Sequence, residues 1–172
     1  MDDLILMEKM PELLAVSQEL GFETPLFLED IGLIREDSPK WLLKKIQECQ
    51  RKKKFIVYRP AREEMLRFAL ERTAVQMVVG VESIHTQDSV SGVRSGLDQV
   101  LCRIAAAKGK MVGISIQDLL YTKDRPRLLA RIMVNLSLCK KYGVLVVFAS
   151  FATKKEELRS KADILTLERV LR

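Results

Sequence analysis

The chain has 172 residues, enough for one domain with a real core, since 48% of them are hydrophobic and 30% charged. No run of about 18 or more apolar residues is present, which argues against a membrane-spanning helix, and the acidic start, MDDLILMEKM, lacks the basic region of a secretory signal. The net charge of +6 is unevenly held: the first 50 residues carry 11 acidic and 5 basic side chains, the rest 24 basic and 12 acidic, a bias that points to a polyanion-binding face on one side of the molecule.

In chain order, residues 4–7 form a short apolar run. Residues 11–20 place Leu13, Leu14, Val16 and Leu20 at helical spacing before Gly21, a helix stop. Residues 25–28 read as a second short strand. Ser38 and Pro39 read as the N-cap and first residue of a helix that continues to Arg51. Phe55–Tyr58 is a strand, residues 62–72 a helix with Met65, Leu66, Ala69 and Leu70 inward, and residues 75–81 the next strand. A polar loop over 82–94 leads through Ser95-Gly96 to a helix with Leu97, Val100, Leu101, Ile104 and Ala105 on its inner face. Residues 108–110 make a turn and 111–116 a strand. Arg125–Tyr142 is a long helix with Pro126 in its first turn, where the missing N–H costs little. Gly143 ends it, residues 144–148 form the most apolar strand, and 163–171 the last helix.

The pattern is a repeated β-α unit with strands too apolar to be half-exposed. Strands buried on both faces imply a mostly parallel sheet covered by helices. An open doubly wound sheet and a barrel both satisfy this, and six or seven strands favour barrel-like closure. The expected fold class is therefore α/β with a TIM-barrel-like arrangement, in one domain over residues 1–172. Cys49, Cys102 and Cys139 are odd in number and far apart, which speaks for free buried thiols in a reducing cytoplasm rather than a disulfide or zinc framework.

Reactive motifs are sparse. The sequence has no G-x-G-x-x-G after its first strand, no phosphate loop and no G-x-S-x-G elbow. Its single histidine, His85, has no partner at metal-ligand spacing. The carboxylates nearest strand tips, Asp30, Glu82 and Asp118, show no specific spacing for Mg²⁺. Basic residues form a more coherent set. Lys108 and Lys110 flank Gly109 in a turn, residues 51–54 are an unbroken basic run, and Arg94 stands just before a helix. Lys154, Lys155, Arg159 and Lys161 surround the loop after the last strand. Aromatics that could stack on bases are few and mostly at apolar positions, so recognition of structured RNA by shape and backbone fits better than reading of single strands.

Residues 95–120 resemble the ribonuclease P protein component 3 family of archaea, relatives of the thirty-kilodalton subunit of the eukaryotic enzyme. The family's glycine-opened helix reads here as Gly96-Leu97-Asp98-Gln99-Val100-Leu101. Its following strand reads as Gly113-Ile114-Ser115-Ile116-Gln117-Asp118-Leu119-Leu120. The likeness continues through RPRLLARIMVNLSLCKKYGV and VVFASFATKKEELRSKADILTL and covers about two thirds of the chain. Gln99 stands where the family often has His, and Gln117 where it often has Arg.

The resemblance implies a protein subunit of ribonuclease P, whose RNA removes the 5′ leader of precursor tRNA using Mg²⁺. The chain itself would bind no cofactor and no metal and would not be catalytic alone. The implied partners are the ribonuclease P RNA, precursor tRNA, ribonuclease P protein component 2 and the other protein subunits. Arg67, Arg94, Lys108 and Arg159 fall where family members tend to carry a basic residue, and Arg94 and Lys108 are expected at opposite ends of one helix. The wide apolar stripes of the last two helices make Leu167 and Val170 the candidate contacts to component 2. The alternative from a different class is a metal-dependent barrel phosphoesterase or amidohydrolase.

Overall fold

The computed structural model describes residues 3–90 and 92–172. Ser91, within the loop expected over 82–94, and the first two residues of the MDDLILMEKM segment lie outside the described residues. Five strands form an all-parallel sheet in sequence order: β1 (Ile31–Ile34), β2 (Phe55–Tyr58), β3 (Met77–Val79), β4 (Met111–Ser115) and β5 (Val146–Ala149). The helices are α1 (Pro11–Glu19), α2 (Pro39–Arg51), α3 (Glu63–Arg72), α4 (Gln99–Ala107), α5 (Ile116–Tyr121), α6 (Arg125–Tyr142) and α7 (Lys161–Leu171).

The wall continues past β5. Phe151 N–H donates to Leu4 O and Leu6 N–H to Ala152 O, while Ile5 N–H donates to Leu26 O and Leu26 N–H to Asp3 O. Leu4 and Leu26 form a parallel bridge. The two short N-terminal segments expected as strands are thus single-bridge staves that extend the sheet toward closure. One apolar cluster accordingly takes Leu4, Ile31, Val57, Met77 and Val147 from staves all around the wall, as the filled interior of a barrel requires. A second, larger core lies between wall and helices, where Leu42, Leu66, Ile114 and Ile132 are almost fully buried.

Several boundaries differ from the sequence reading for identifiable reasons. β1 was not expected, because Gly32 breaks the apolar pattern of a four-residue strand. A Cβ at Gly32 would overlap Cys49 Sγ of α2, so glycine is there for close helix–strand approach. The strand expected over 75–81 is shortened to β3, because Gly80 turns left-handed at φ 72°. The strand expected over 111–116 stops at Ser115. Its hydroxyl accepts the Asp118 N–H at 3.2 Å and so caps α5, which the sequence reading missed. The strand expected over 144–148 is shifted to Val146–Ala149. Asp98 caps α4 by accepting the Leu101 N–H at 2.7 Å, which turns Leu101, Cys102 and Ala105 inward and leaves Val100 exposed rather than on the inner face. Among the described residues no helix is long and apolar enough to cross a membrane.

Candidate nucleic-acid interface

Because all five strands run the same way, every turn that leads from a helix into a strand reaches the same rim of the barrel. The turns before β2, β3, β4 and β5 cover residues 51–54, 72–76, 108–110 and 140–145, and they hold nine Lys/Arg and no Asp/Glu. Arg51, Lys52, Lys53, Arg72, Lys108, Lys140 and Lys141 are exposed. The other two are tied down. Lys54 Nζ donates to Leu28 O at 3.1 Å, and Lys110 Nζ to Thr73 O at 2.7 Å and Val75 O at 2.6 Å. Burial, and then the charge of Lys108, hold the Lys110 ammonium below the ordinary lysine range.

These two buried-stem lysines stitch neighbouring turns together, so the exposed cations sit on a braced surface. Tyr142 joins it with Arg103 and Lys141 each 5.5 Å from its ring centroid. Neighbouring strands lie about 4.8 Å apart, well inside a Debye length of about 8–10 Å. The cations of adjacent turns therefore repel one another and lower the free energy of any polyanion that spreads across them.

The opposite rim is where a barrel enzyme carries its chemistry. Here the charges nearest the strand ends are paired within the protein. Arg59 pairs with Asp118 at 3.0 Å. Arg131 is buried at 4% exposure; it donates to Asp88 Oδ1 at 2.8 and 2.9 Å and to the carbonyls of Glu82 and His85 at 2.9 and 2.6 Å, fixing the loop after β3 on α6. Glu82 is 1% exposed with neither carboxylate oxygen hydrogen-bonded, and burial pushes its carboxyl up to about 7.

His85 faces Glu63 at 3.5 Å, and burial followed by the charge of Arg94 keeps it below its ordinary value. Asp30, which the sequence placed with Glu82 and Asp118 at strand tips, precedes β1 on the basic rim's side and accepts the Phe27 N–H at 3.1 Å. Among the described residues no three His, Cys, Asp or Glu side chains converge as a metal site would need.

The structure does not gather the basic residues singled out from the sequence. Lys108 stands on the basic rim and Lys110 beneath it. Arg94, Lys154, Lys155 and Arg159 belong to loops that follow strands, on the opposite rim, while Lys161 opens α7 and its N–H donates to Leu20 O at the end of α1. Lys154 and Lys155 are exposed there, while Arg159 donates to Glu156 O and Leu158 O at 2.9 and 2.7 Å. Arg67 lies on α3, paired with Glu71 at 2.8 Å in a cleft shared with Glu63, Glu64 and Asp98. Arg94 stands before α4 as expected, but four residues ahead of its cap, Asp98, so that only Lys108 marks an end of the nine-residue helix; the Arg94 backbone N–H is held by Asp88 at 2.9 Å.

Gln117, where the resemblance expects Arg, bonds Thr153 and Glu157 at 2.8 and 3.0 Å. Sequence reasoning missed Arg72, Lys140 and Lys141. The available signal was that each precedes an apolar strand, and in a parallel sheet all such positions share one rim.

The model of the RNase P subunit p30 family matches residues 30–171. Ribonuclease P protein component 3 of Methanosarcina acetivorans is 41% identical over 78 residues, 44% of this chain and 33% of the relative. That of Methanosarcina mazei is 38% identical over 78 residues with the same coverage. The match thus spans about a third of the length of these curated relatives. A chain in a cryo-EM structure of archaeal ribonuclease P with mature tRNA superposes with a TM-score of 0.81 at 21% identity, covering 98% of this chain and 81% of that one.

Proposed function

The chain belongs to the RNase P subunit p30 family, and on that premise we propose that it is a protein subunit of ribonuclease P. It would support the RNA-based endonuclease that removes the 5′ leader of precursor tRNA, by neutralising packed phosphates of the catalytic RNA. The observation that carries the reading is the set of nine basic and no acidic side chains in the four turns before β2, β3, β4 and β5, the acidic residues of that rim, Asp30 among them, being confined to the connection before β1. A rigid, closely spaced set of cations reduces the repulsion within folded RNA and releases its counterions. Mg²⁺ would be held by the RNA, and no role in bond cleavage falls to this chain. On this reading the chain would assemble with ribonuclease P RNA and further protein subunits, ribonuclease P protein component 2 among them, in the cytoplasm.

A barrel phosphoesterase or amidohydrolase is disfavoured by the same geometry, since Asp118 is spent on Arg59 and Glu82 is walled in. The test is retention of an archaeal ribonuclease P RNA transcript by the purified chain as a function of salt, with assembly of leader-cleaving activity from RNA and subunits as the second readout. Affinity should fall steeply with salt, and leaving out the chain should lower cleavage. Salt-insensitive binding, or leader cleavage by the chain without RNA, would overturn the proposal.

A further inference from the structure

The chain's one tryptophan, Trp41, is 50% exposed on α2. Tryptophan is highly buried on average, and covering an indole stabilises a fold by a few kcal/mol, on the order of its apolar area at about 25 cal/mol per Å². Here the helix instead turns Leu42 and Ile46 to the core and leaves Trp41 out. The surroundings of the ring are cationic. Lys44 Nζ stands 5.0 Å from its centroid. Lys45 follows on the same face, in an exposed pair with Glu48 at 3.1 Å, a contact of the kind worth little in water. Residues 40–54 contain seven Lys/Arg and one acid, Glu48, a net +6 that equals the charge of the whole chain. α2 ends at Arg51, in the first turn of the basic rim, about 15 Å along the helix axis from Trp41.

We propose that Trp41 and the lysines of α2 form a base-stacking site for an unpaired nucleotide of RNA, continuous with the basic rim through Arg51–Lys54. The inference rests on the RNA-binding role proposed above and adds to it a place where a base, rather than the backbone alone, is held. An exposed indole offers a flat face that any base can cover, and stacking of this kind is tolerant of sequence. Unstacked bases of structured RNA are the ones free to take such a face. A base on the ring brings its own phosphate among Lys40, Lys44 and Lys45, and the strand then continues along Arg51, Lys52 and Lys53. This charge complementarity favours RNA over a protein partner. A protein would have to bring a comparable number of acidic groups to this helix and the turn after it.

Because Trp41 is the only tryptophan, its emission reports on this site alone. The experiment titrates the full chain with an archaeal ribonuclease P RNA transcript and follows tryptophan emission and filter retention in parallel. Emission should be quenched by about half or more, with the midpoint of the filter curve. Trp41→Ala should weaken retention roughly 5- to 100-fold, the equivalent of about 1–3 kcal/mol for one stacked base, with the salt slope unchanged. Trp41→Phe should recover most of the loss, and Lys44→Ala should flatten the slope by about one. Retention of RNA with unquenched emission and a neutral Trp41→Ala would overturn the stacking site and leave the RNA-binding role standing. No retention at all would overturn both. An emission change produced by purified component 2 and not by RNA would assign the face to protein and defeat the inference.

Discussion

Asp3 and Ser150 are 147 positions apart, yet the Asp3 carboxylate accepts both the backbone N–H and the hydroxyl of Ser150 at 2.6 Å. Asp3 Oδ1 also takes the Leu4 N–H at 2.9 Å. The pair is buried and ties the N-terminal stave to the end of β5, where the wall would otherwise end in an unpaired edge. Asp3→Ala leaves the buried Ser150 amide without an acceptor and its hydroxyl with only the Leu4 carbonyl at 3.3 Å, which costs about 2–4 kcal/mol. The expected fall in thermal midpoint is about 5–15 °C, measured by circular dichroism. A fall of less than about 1 °C would show that the seam contributes nothing to stability.

Glu82 makes stability depend on pH in an unusual direction. Its carboxyl titrates near 7 in the fold, because burial penalises the charge, against 4.5 when exposed. Between these values the folded state holds a proton that the unfolded state has released, so stability falls as pH rises from about 4.5 to 7 and stays reduced above. Glu82→Gln removes the term. It should be nearly neutral at pH 4.5 and more stable than the native chain at pH 8, by an amount on the order of 3 kcal/mol. Equal urea midpoints for the two proteins at pH 8 would contradict the walled-in carboxylate.

Arg131 organises the loop after β3 from within α6. Its bonds to Asp88 and to two carbonyls are lost together in Arg131→Met, leaving the carbonyls of Glu82 and His85 without their donor while Asp88 keeps the Arg94 N–H. The cost should be about 1–3 kcal/mol, as for buried carbonyls that lose their donor. Amide exchange should accelerate over residues 82–90 more than in the sheet. Uniform acceleration across the chain would instead mean that the loop unfolds only with the whole domain.

The α/β class and helix boundaries such as Arg125–Tyr142 were legible because Pro126, Gly143 and the apolar spacing between them are local signals. The capped helix α5 was hidden, because Ser115 reads equally well as the end of a strand. The candidate site was legible as basic turns but not as a surface. Lys108 and Lys154 look equivalent in the sequence, yet the direction of the strands sends them to opposite rims. Nor does spacing reveal that Lys110 is a brace. That follows only when Thr73 and Val75 arrive beneath its ammonium.

Two lysines separated by one glycine should therefore behave differently. Lys108→Ala removes an exposed cation and should weaken binding of the ribonuclease P RNA, flatten its salt slope by about one and leave stability unchanged. Lys110→Ala frees two carbonyls and should lower stability by about 1–3 kcal/mol, with a smaller effect on the slope. Arg67→Ala, on a side chain already paired with Glu71 among acidic neighbours, should do neither. Filter binding over a salt series, with thermal unfolding of each variant, checks all three. A slope change in Arg67→Ala equal to that in Lys108→Ala would mean that α3, rather than the rim, faces the RNA.

The last prediction concerns the proposed protein partner. α7 buries Ile164 against the core, while Leu167 and Leu171 are half-buried and pack on it. Val170 is 74% exposed and Leu165 42%. Beside this helix an open cavity of about 330 Å³ is lined mainly by apolar side chains, among them Ile116, Leu119, Leu129 and Leu167, together with Arg125, Arg159 and Asp163. An apolar hollow next to exposed aliphatic side chains is the feature that marks a partner surface. Val170→Asp should leave the thermal midpoint within about 2 °C, since an exposed position lies outside the core, and should abolish co-purification with component 2. Leu167→Asp introduces a charge against Ile164 and Leu129, so it should lower the midpoint as well as disrupt the partner. Intact co-purification of the folded Val170→Asp protein would move the interface away from α7.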